Sequence, residues 1–328
     1  MIISRTPLRI SFVGGGSDIQ SYYKHKAGAV VSTAIDKYIY ITVNKKFDNT
    51  IRVSYSKQTE NVDHVDQIEH SLIRECLKMV GIDRGIEVTS MADIPSEGTG
   101  LGSSSAYAVG LLNALYAYLG KHVNAERLAR EASKIEIDLL KSPIGRQYHY
   151  IAAYGGLQYI QFNPDDSVYV DPIICLSQTK QELESRMLLL YTGLTRSANP
   201  ILEKQTNNMA KKKNKRNTMS KMVALTKKMQ VALNKNKVDT IGELLHKNWI
   251  LKKTMAEGVS NSTIDGWYAK ARKNGATGGK ILGAGGGGFL LLYVDPKYHK
   301  KIIKALPDLS PMSFKFEPQG SKIIFVGE

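Results

Sequence analysis

The sequence lacks the features that mark secreted and membrane-embedded chains. It contains only two cysteines in 328 residues, Cys76 and Cys175, and these lie far apart in the sequence. No segment approaches the ~20 apolar residues needed to cross a bilayer. The N-terminus lacks the three features of a signal peptide, which are a basic start, an apolar stretch and a small-residue cleavage site. We therefore expect a chain in a reducing cytoplasm, without a disulfide framework or a membrane partner.

Two familiar phosphate-binding signatures are also missing. The Gly-x-x-x-x-Gly-Lys-Ser/Thr pattern of a P-loop occurs nowhere in the chain. Residues 283–288 match the Gly-x-Gly-x-x-Gly dinucleotide pattern, but the residues that follow predict a strand, whereas a Rossmann turn opens a helix. No His-Arg-Asp or Asp-Phe-Gly follows either, which argues against a protein kinase.

Positive charge is abundant, with 45 Lys and Arg against 30 Asp and Glu and a formal net charge of +15. Such a chain attracts anions, including nucleotides, sugar phosphates and nucleic acid. A cluster of five cations lies between residues 211 and 216, but no aromatic residues are interleaved with it to stack bases. We interpret this cluster as a solvated face and expect no nucleic-acid partner.

Length and composition predict two domains, because 328 residues that are 42% hydrophobic can bury more than one core. We place the boundary in the polar stretch near residue 180, giving domains 1–180 and 181–328. In the first part, apolar periodicity predicts strands at 2–13, 38–43, 51–55 and 86–91, and helices at 104–119 and from residue 124 onward. In the second part it predicts helices near 219–235 and 238–256 and strands at 289–294 and 322–326.

A Gly/Ser-rich segment between a predicted strand and a predicted helix is the clearest candidate site. Its glycines allow backbone N–H groups to approach an anion closely, at the positive end of a helix dipole. Its serine hydroxyls can donate to phosphate oxygens or bind Mg²⁺. We predict that ATP phosphates are bound by Gly98, Gly100, Leu101, Gly102, Ser103, Ser104 and Ser105.

Two charged residues stand out because they interrupt apolar patterns. Arg9 lies inside the first predicted strand, where an arginine is more often on the surface than catalytic. Glu136 lies close to the apolar stripe formed by Leu128, Ala132, Ile135 and Leu139. A carboxylate at such a place is costly unless a cation or a metal ion pairs with it.

Three motifs together resemble those of the GHMP kinases, the family that includes galactokinase, homoserine kinase and mevalonate kinase. Pro95-Ser-Glu-Gly-Thr-Gly-Leu-Gly-Ser-Ser-Ser-Ala106 is similar to the family's phosphate motif. Lys280-Ile-Leu-Gly-Ala-Gly-Gly-Gly-Gly-Phe289 is similar to its C-terminal motif. Thr6-Pro-Leu-Arg9 with Gly14-Gly-Gly-Ser-Asp18 is similar to its first motif. The variant found here, with Tyr191-Thr-Gly-Leu-Thr-Arg196, resembles heptose phosphate kinases and related fucokinase domains.

The resemblance implies an α+β fold with an N-terminal domain like ribosomal protein S5 domain 2 and a C-terminal ferredoxin-like domain. It implies an ATP-dependent, Mg²⁺-requiring kinase whose partners are small molecules, with D-glycero-D-manno-heptose 7-phosphate phosphorylated at its anomeric hydroxyl as the first choice. Ser104 and Glu136 would hold Mg²⁺, and Arg9 would stabilise the transferring phosphoryl group. The substrate would be bound by Asp18, Gly15, Gly16, Ser17, Arg196, Gly285, Gly286 and Gly287.

One position departs from the family pattern. Where such kinases have Gly-Lys-Gln-Asp-Gln-Tyr, with the Asp as the proposed catalytic base, this chain has Gly145-Arg-Gln-Tyr-His-Tyr150. Tyr148 therefore stands at the expected catalytic position. His149 is not a substitute, because in a helix its side chain points about 100° away. Three hypotheses follow: an active sugar kinase slowed by Tyr148, a nucleotide-binding pseudoenzyme of the same fold, and a nucleic-acid-binding protein.

Overall fold

The computed structural model describes residues 1–56, 58–94, 98–195 and 197–327. Its strands are β1 (Ile2–Val13), β2 (Gly28–Lys45), β3 (Ile51–Tyr55), β4 (Gln58–Val62), β5 (Ile86–Ala92), β6 (Leu157–Phe162), β7 (Val168–Pro172), β8 (Met187–Tyr191), β9 (Ala276–Ile281), β10 (Phe289–Val294), β11 (Ser310–Met312) and β12 (Lys322–Val326). Its helices are α1 (Gln20–Tyr23), α2 (Ser71–Val80), α3 (Ser103–Tyr118), α4 (Ala125–Ser133), α5 (Gln147–Tyr154), α6 (Ser177–Ser185), α7 (Asn199–Lys211), α8 (Lys213–Asn234), α9 (Ile241–Lys253), α10 (Ser262–Lys273) and α11 (His299–Ala305).

The first sheet is organised around the long strand β2. Its strand order is β12-β1-β2-β5-β3-β4, and β6 and β7 extend from the first half of β2. The first half of β2 pairs with β6, whereas its second half pairs with β5. β1 is antiparallel to β2 along almost its whole length, and most of its residues are buried. This register brings the middle of β1, around Pro7 and Leu8, to the place where β2 changes partner.

Helix α3 packs closely on this sheet because its sequence is rich in small residues. It is buried along most of its length, including Ala106, Ala108 and Ala114. A Cβ atom at Gly110 would lie 2.6 Å from the Thr6 hydroxyl of β1, which is closer than side chains allow. The Ser4 hydroxyl also donates to the Gly110 carbonyl at 2.8 Å. These contacts fix the middle of α3 relative to β1.

The second sheet has the order β11-β8-β10-β9, and its pairings are antiparallel. All six residues of β10 are buried, as their uniformly apolar sequence predicts. One face of the sheet shares a core with α9, α10 and α11, in which Trp249 is fully buried. The two sheets therefore have partly separate cores, which agrees with the α+β organisation predicted from the sequence.

The predicted elements are largely confirmed, with two corrections. β12 pairs with β1 in the first sheet, although its residues fall in the region assigned to the C-terminal domain. Leu139 was expected to face a core but is exposed, because the helix changes to a π-helical turn at Lys134–Leu139 and its last residues rotate outward. The boundary near residue 180 stays a prediction. In the described ranges, no helix has the length and apolarity to cross a membrane.

Gly155, after α5, has backbone angles that only glycine adopts easily, with φ 70° and ψ −169°. A Cβ there would lie 2.1 Å from the carbonyl carbon of Gln319, in the segment that leads to β12. Gly155→Ala is therefore expected to lower the free energy of unfolding by about 2–5 kcal/mol, combining backbone strain and overpacking. Urea denaturation followed by circular dichroism measures this.

The matched control is Gly120→Ala, which also has a positive φ, 68°, but no atom within 4 Å of its Cβ position. It should cost only about 1–2 kcal/mol. Equal losses in the two variants would show that the chain segment before β12 does not pack closely against Gly155.

Candidate active site

The Gly/Ser segment forms the loop that the sequence predicted, hereafter the phosphate loop, residues 98–105. Gly98, Gly100 and Gly102 have positive φ of 68°, 72° and 82°. Gly102 is the N-cap of α3 and no side chain caps this helix end, so the first N–H groups of α3 remain available. They face a cavity of about 610 Å³ between the two parts of the chain. The loop can therefore bind an anion through backbone N–H groups and the helix dipole.

Glu136 lies beside the phosphate loop with only 3% of its surface exposed. Its carboxylate accepts hydrogen bonds from the hydroxyls of Ser104 and Ser105, the latter at 2.6 Å. Its second oxygen is also 2.6 Å from Nε2 of His149. Burial alone would raise the pKa of Glu136, but these three partners together lower it below its ordinary value. His149 contacts Glu136, whereas Tyr148 lies against Arg9, so the two neighbouring side chains have different partners.

This arrangement fits a magnesium ion. Mg²⁺ in nucleotide sites is commonly held by one or two protein oxygens together with substrate phosphates. The Ser104 hydroxyl and the Glu136 carboxylate are already in contact and lie on the wall of the cavity. Within the described ranges, no cluster of three or more His, Cys, Asp or Glu side chains could bind a metal without such phosphates. Ser104 and Glu136 are thus suited to a metal that arrives with a nucleotide.

Arg9 is buried, with 1% of its surface exposed, so the surface interpretation of this residue is wrong. Its Nη1 donates to the Gly100 carbonyl at 3.0 Å and its backbone N–H donates to the Leu101 carbonyl at 3.2 Å. Its Nε and Nη2 have no hydrogen-bond partner in the described part of the chain. Burial lowers the pKa of Arg9, while nearby Tyr148 and Asp18 raise it. Two free N–H donors of a buried cation are well suited to an incoming phosphate.

Tyr148, at the start of α5, lies against the Arg9 guanidinium, whose carbon is 4.2 Å from the centre of the ring. A Cβ at Gly102 would lie 3.1 Å from the same ring. Tyr148 is therefore enclosed between Arg9 and the phosphate loop. Burial raises the pKa of Tyr148, although Arg9 lowers it in part. At neutral pH this side chain is a neutral donor and not a base.

Asp18 follows the first glycine segment and is 1% exposed. One carboxylate oxygen accepts from the Gly16 N–H at 2.9 Å and from the Gln147 side chain at 2.8 Å. The other accepts from the Gln147 backbone N–H at 3.2 Å. A Cβ at Gly145 would lie 1.8 Å from this carboxylate, so the glycine before α5 is needed for the approach. Asp18 is thereby fixed beside Tyr148.

The C-terminal glycine segment, residues 283–288, lies against the phosphate loop. A Cβ at Gly283 would lie 2.7 Å from the Cα of Gly100, and one at Gly288 would lie 2.4 Å from the Thr99 carbonyl oxygen. Gly285 and Gly287 line the large cavity. This segment therefore forms part of the wall of the cavity, in direct contact with the phosphate loop.

Several predicted site residues have other contacts. The Ser17 hydroxyl donates to the Ala29 carbonyl and accepts from the Ala29 N–H. Both contacts hold the local backbone together, so this hydroxyl is not directed at a ligand. Leu101 contributes its backbone, because its side chain is fully buried in the core. The Gly286 N–H donates to the Val259 carbonyl. Arg196 lies outside the described residues.

Sequence reasoning missed two buried lysines, Lys252 and Lys280. The Lys252 ammonium donates to the Gly15 carbonyl and to Gln205, and Lys280 donates to the Ser11 carbonyl at 2.9 Å. Burial lowers the pKa of both, to about 8 for Lys252. A signal existed for Lys252, since it continues the helical spacing of Leu245 and Trp249 and so falls on the buried face of α9.

Comparison with known proteins agrees with this architecture. Residues 69–156 match the N-terminal domain of the GHMP kinases and residues 229–309 match the C-terminal domain of the same family. The chain is 31% identical over 322 residues to the D-glycero-alpha-D-manno-heptose 7-phosphate kinase of Campylobacter jejuni, covering 93% of each chain. It is 26% identical over 333 residues to the bifunctional fucokinase/GDP-fucose pyrophosphorylase of Arabidopsis thaliana, covering 94% of this chain and 31% of the plant protein.

A solved structure extends the similarity to the whole chain. The D-glycero-D-manno-heptose 1-phosphate kinase from Bacteriodes thetaiotaomicron has a TM-score of 0.81 and 26% sequence identity, with 100% of both chains covered. The chain therefore belongs to the GHMP kinase family. The family resemblance and the two-domain α+β fold expected from the three motifs are confirmed.

The metal assignment predicts the behaviour of Glu136→Gln. Because a neutral amide stabilises a divalent cation less than a carboxylate does, this change is expected to weaken Mg²⁺-dependent binding of a nonhydrolysable ATP analogue by roughly 10- to 100-fold. Binding of a sugar phosphate alone should change little. Calorimetric titrations with and without Mg²⁺ separate the two effects.

Asp138→Asn is the control, because Asp138 is an exposed carboxylate on the same turn. It should leave both affinities unchanged. If Glu136→Gln reduced nucleotide and sugar phosphate binding equally, or neither, the carboxylate would be structural and not a metal ligand.

Proposed function

We propose that this chain transfers the γ-phosphoryl group of ATP to the anomeric hydroxyl of D-glycero-D-manno-heptose 7-phosphate. The observation that carries this proposal is the 31% identity to a heptose 7-phosphate kinase over 93% of both chains. The site supports this proposal. The phosphate loop and Glu136 line one cleft, and Arg9 lies behind its wall, where it contacts Gly100. Asp18, Gly15 and Gly16 are the residues expected to lie against the sugar.

In the proposed reaction, the phosphate loop binds the triphosphate through backbone N–H groups and the dipole of α3. When bound, Mg²⁺ at Ser104 and Glu136 would neutralise phosphate charge. Arg9 has two donors, Nε and Nη2, without a partner in the described part of the chain, and its positive charge would stabilise charge that develops during transfer. Asp18 orients the acceptor. This division of labour suits phosphoryl transfer, which depends mainly on positioning and electrostatics.

Substrate identity is tested by measuring ADP release with a panel of acceptors and Mg²⁺·ATP. We expect turnover with heptose 7-phosphate and production of a bisphosphate, detected by mass spectrometry. L-fucose is the second candidate, because the chain also matches a fucokinase over 94% of its length. Turnover with L-fucose alone would replace the heptose assignment.

A pseudoenzyme is the other candidate, favoured by the position of Tyr148. The ring lies against Arg9 and the phosphate loop, where a transferring phosphoryl group and its acceptor meet in the proposed complex. We therefore predict that the chain binds Mg²⁺·ATP and its sugar phosphate but turns over slowly. Binding without any turnover would favour the pseudoenzyme.

Restoring the family's carboxylate tests this effect directly. Tyr148→Asp is expected to raise kcat by about 10²-fold or more, because it supplies a general base and removes the ring from the acceptor space. Tyr148→Ala is the matched variant, since it removes the ring without supplying a base. A larger gain for Asp than for Ala assigns the difference to proton transfer. Fast turnover of the unaltered chain, or no gain from Asp in a folded ligand-binding protein, would overturn the argument.

The role of Arg9 gives a separate prediction. Arg9→Ala should lower kcat by about 10²-fold or more, while nucleotide affinity changes much less, because the cation acts on charge that develops in the transition state. Arg5→Ala is the control on the same strand, where Arg5 pairs with Glu317 at 3.7 Å away from the cleft. Steady-state kinetics and nucleotide titration measure both quantities. An unchanged kcat would remove Arg9 from the catalytic machinery.

A further inference from the structure

Lys252, near the end of α9, places a primary amine in the acceptor region although it belongs to the C-terminal part of the chain. Only 4% of its surface is exposed. Its Nζ donates to the Gly15 carbonyl at 3.3 Å and to the Gln205 side-chain oxygen at 3.1 Å. A neutral amine has two N–H donors and one lone pair. In the neutral form, these two acceptors would match the two donors, and the lone pair would have no partner among these contacts.

A small cavity adjoins this amine. Its volume is about 10 Å³, and Lys252, Asp18, Gln147 and Tyr148 are among the residues that line it. A cavity of that volume holds about one water-sized group. Tyr148, Leu202 and Gly283 line both this cavity and the large one, so the small cavity adjoins the space in front of the phosphate loop. Its size suits a single reacting hydroxyl.

The other ionisable side chains on this small cavity have different roles. Asp18 is held by three hydrogen bonds from Gly16 and Gln147, in the position from which it is proposed to orient the acceptor. Tyr148 is protonated at neutral pH, because burial raises its pKa. Among the described residues that line the cavity, Lys252 is the remaining candidate for accepting a proton.

Burial, more than the charges that face it, brings the pKa of Lys252 toward neutral pH. Burial lowers the pKa of Lys252 to about 8, Asp18 raises it in part, and Arg9 lowers it further. Lys280, on β9, is a second buried amine nearby, and its pKa is lowered by burial and by Lys252. A pKa of about 8 leaves roughly a tenth of the amine neutral at pH 7. A catalytic base with a pKa near the working pH is effective.

We propose that Lys252 is the general base of this chain, accepting the proton of the acceptor hydroxyl in place of the carboxylate that Tyr148 replaces. This role rests on the proposed function. The acceptor oxygen forms a bond to the γ-phosphorus, and the bond from that phosphorus to the β–γ bridging oxygen breaks. ADP leaves with the bridging electron pair. The acceptor proton moves to the lone pair of Nζ, and the resulting ammonium later releases it to solvent.

Lys252→Arg separates proton acceptance from positive charge, because an arginine keeps a cation and donors but does not accept a proton near neutral pH. It is expected to lower kcat at least 10²-fold with a KM for the sugar phosphate within about threefold of the original. In the unaltered chain, kcat should rise about tenfold per pH unit below pH 8 and then level off. The variant should lose this rise.

Lys252→Met is the second variant, in case arginine does not fit the buried site, and unchanged binding of a nonhydrolysable ATP analogue shows that each variant is folded. Lys253→Arg is the matched control on the same helix, since Lys253 pairs with Asp265 at 3.0 Å. It should retain the kcat and the pH profile of the unaltered chain. If the Lys252→Arg variant kept its kcat, the amine would contribute only its positive charge and would not accept the proton.

The same substitution in a Tyr148→Asp background completes the test. There the carboxylate supplies a base, so Lys252→Arg should cost less than tenfold in kcat. An equal loss in both backgrounds contradicts the proposed replacement. If Tyr148→Asp turned over and the unaltered chain did not, Lys252 would not be a base. If neither chain turned over any sugar phosphate or sugar, the proposed function itself, and this role with it, would fail.

Discussion

The backbone contact between residues 283–288 and the phosphate loop is the constraint on which the rest of the site depends. At Gly100 and Gly283 the two segments of the chain are so close that a single methyl group on either would collide with the other. This contact joins a segment that leads into the second sheet to a segment fixed by the first sheet and α3. Because both sides are glycine, the contact leaves no side chains between the walls. The space above it remains free for phosphate groups.

The charge balance of the cleft is unusual for a folded interior. Arg9, Lys252 and Lys280 are buried near one another, and Asp18 is the carboxylate that interacts with all three. Buried cations without matching anions are costly, since burial disfavours the charged form of each. A phosphate group that entered the cleft would supply the missing negative charge. The site is therefore organised for an anionic ligand, in agreement with the excess positive charge of the whole chain.

Sequence patterns predicted the elements well where the pattern reflects one physical cause. The apolar run of β10 and the glycines of the phosphate loop have the structures that their chemistry requires. The pattern failed at Leu139, because a π-helical turn changes the helical period and no residue type signals that change. It also did not predict the pairing of β12 with β1, which joins residues more than 300 positions apart.

The site was predicted unevenly for a related reason. Glu136 could be recognised because a carboxylate beside an apolar stripe is unusual, and Arg9 because it interrupts a strand. The partner of Glu136 could not be recognised, since His149 approaches it from another helix. The helical spacing of α9 indicates that Lys252 is buried, but its place in the acceptor region follows only from tertiary packing of α9 against residues 14–16.

The position of β12 has a consequence for how the chain is made. The strands of the second sheet lie between residues 187 and 312, whereas the first sheet needs residues 322–326 beside β1. During synthesis, every strand of the second sheet has emerged before the last strand of the first sheet exists. Until then, one edge of β1 is exposed, and an exposed edge is a site for wrong pairing. The first sheet, whose strand β1 is synthesised earliest, is thus the last to be completed.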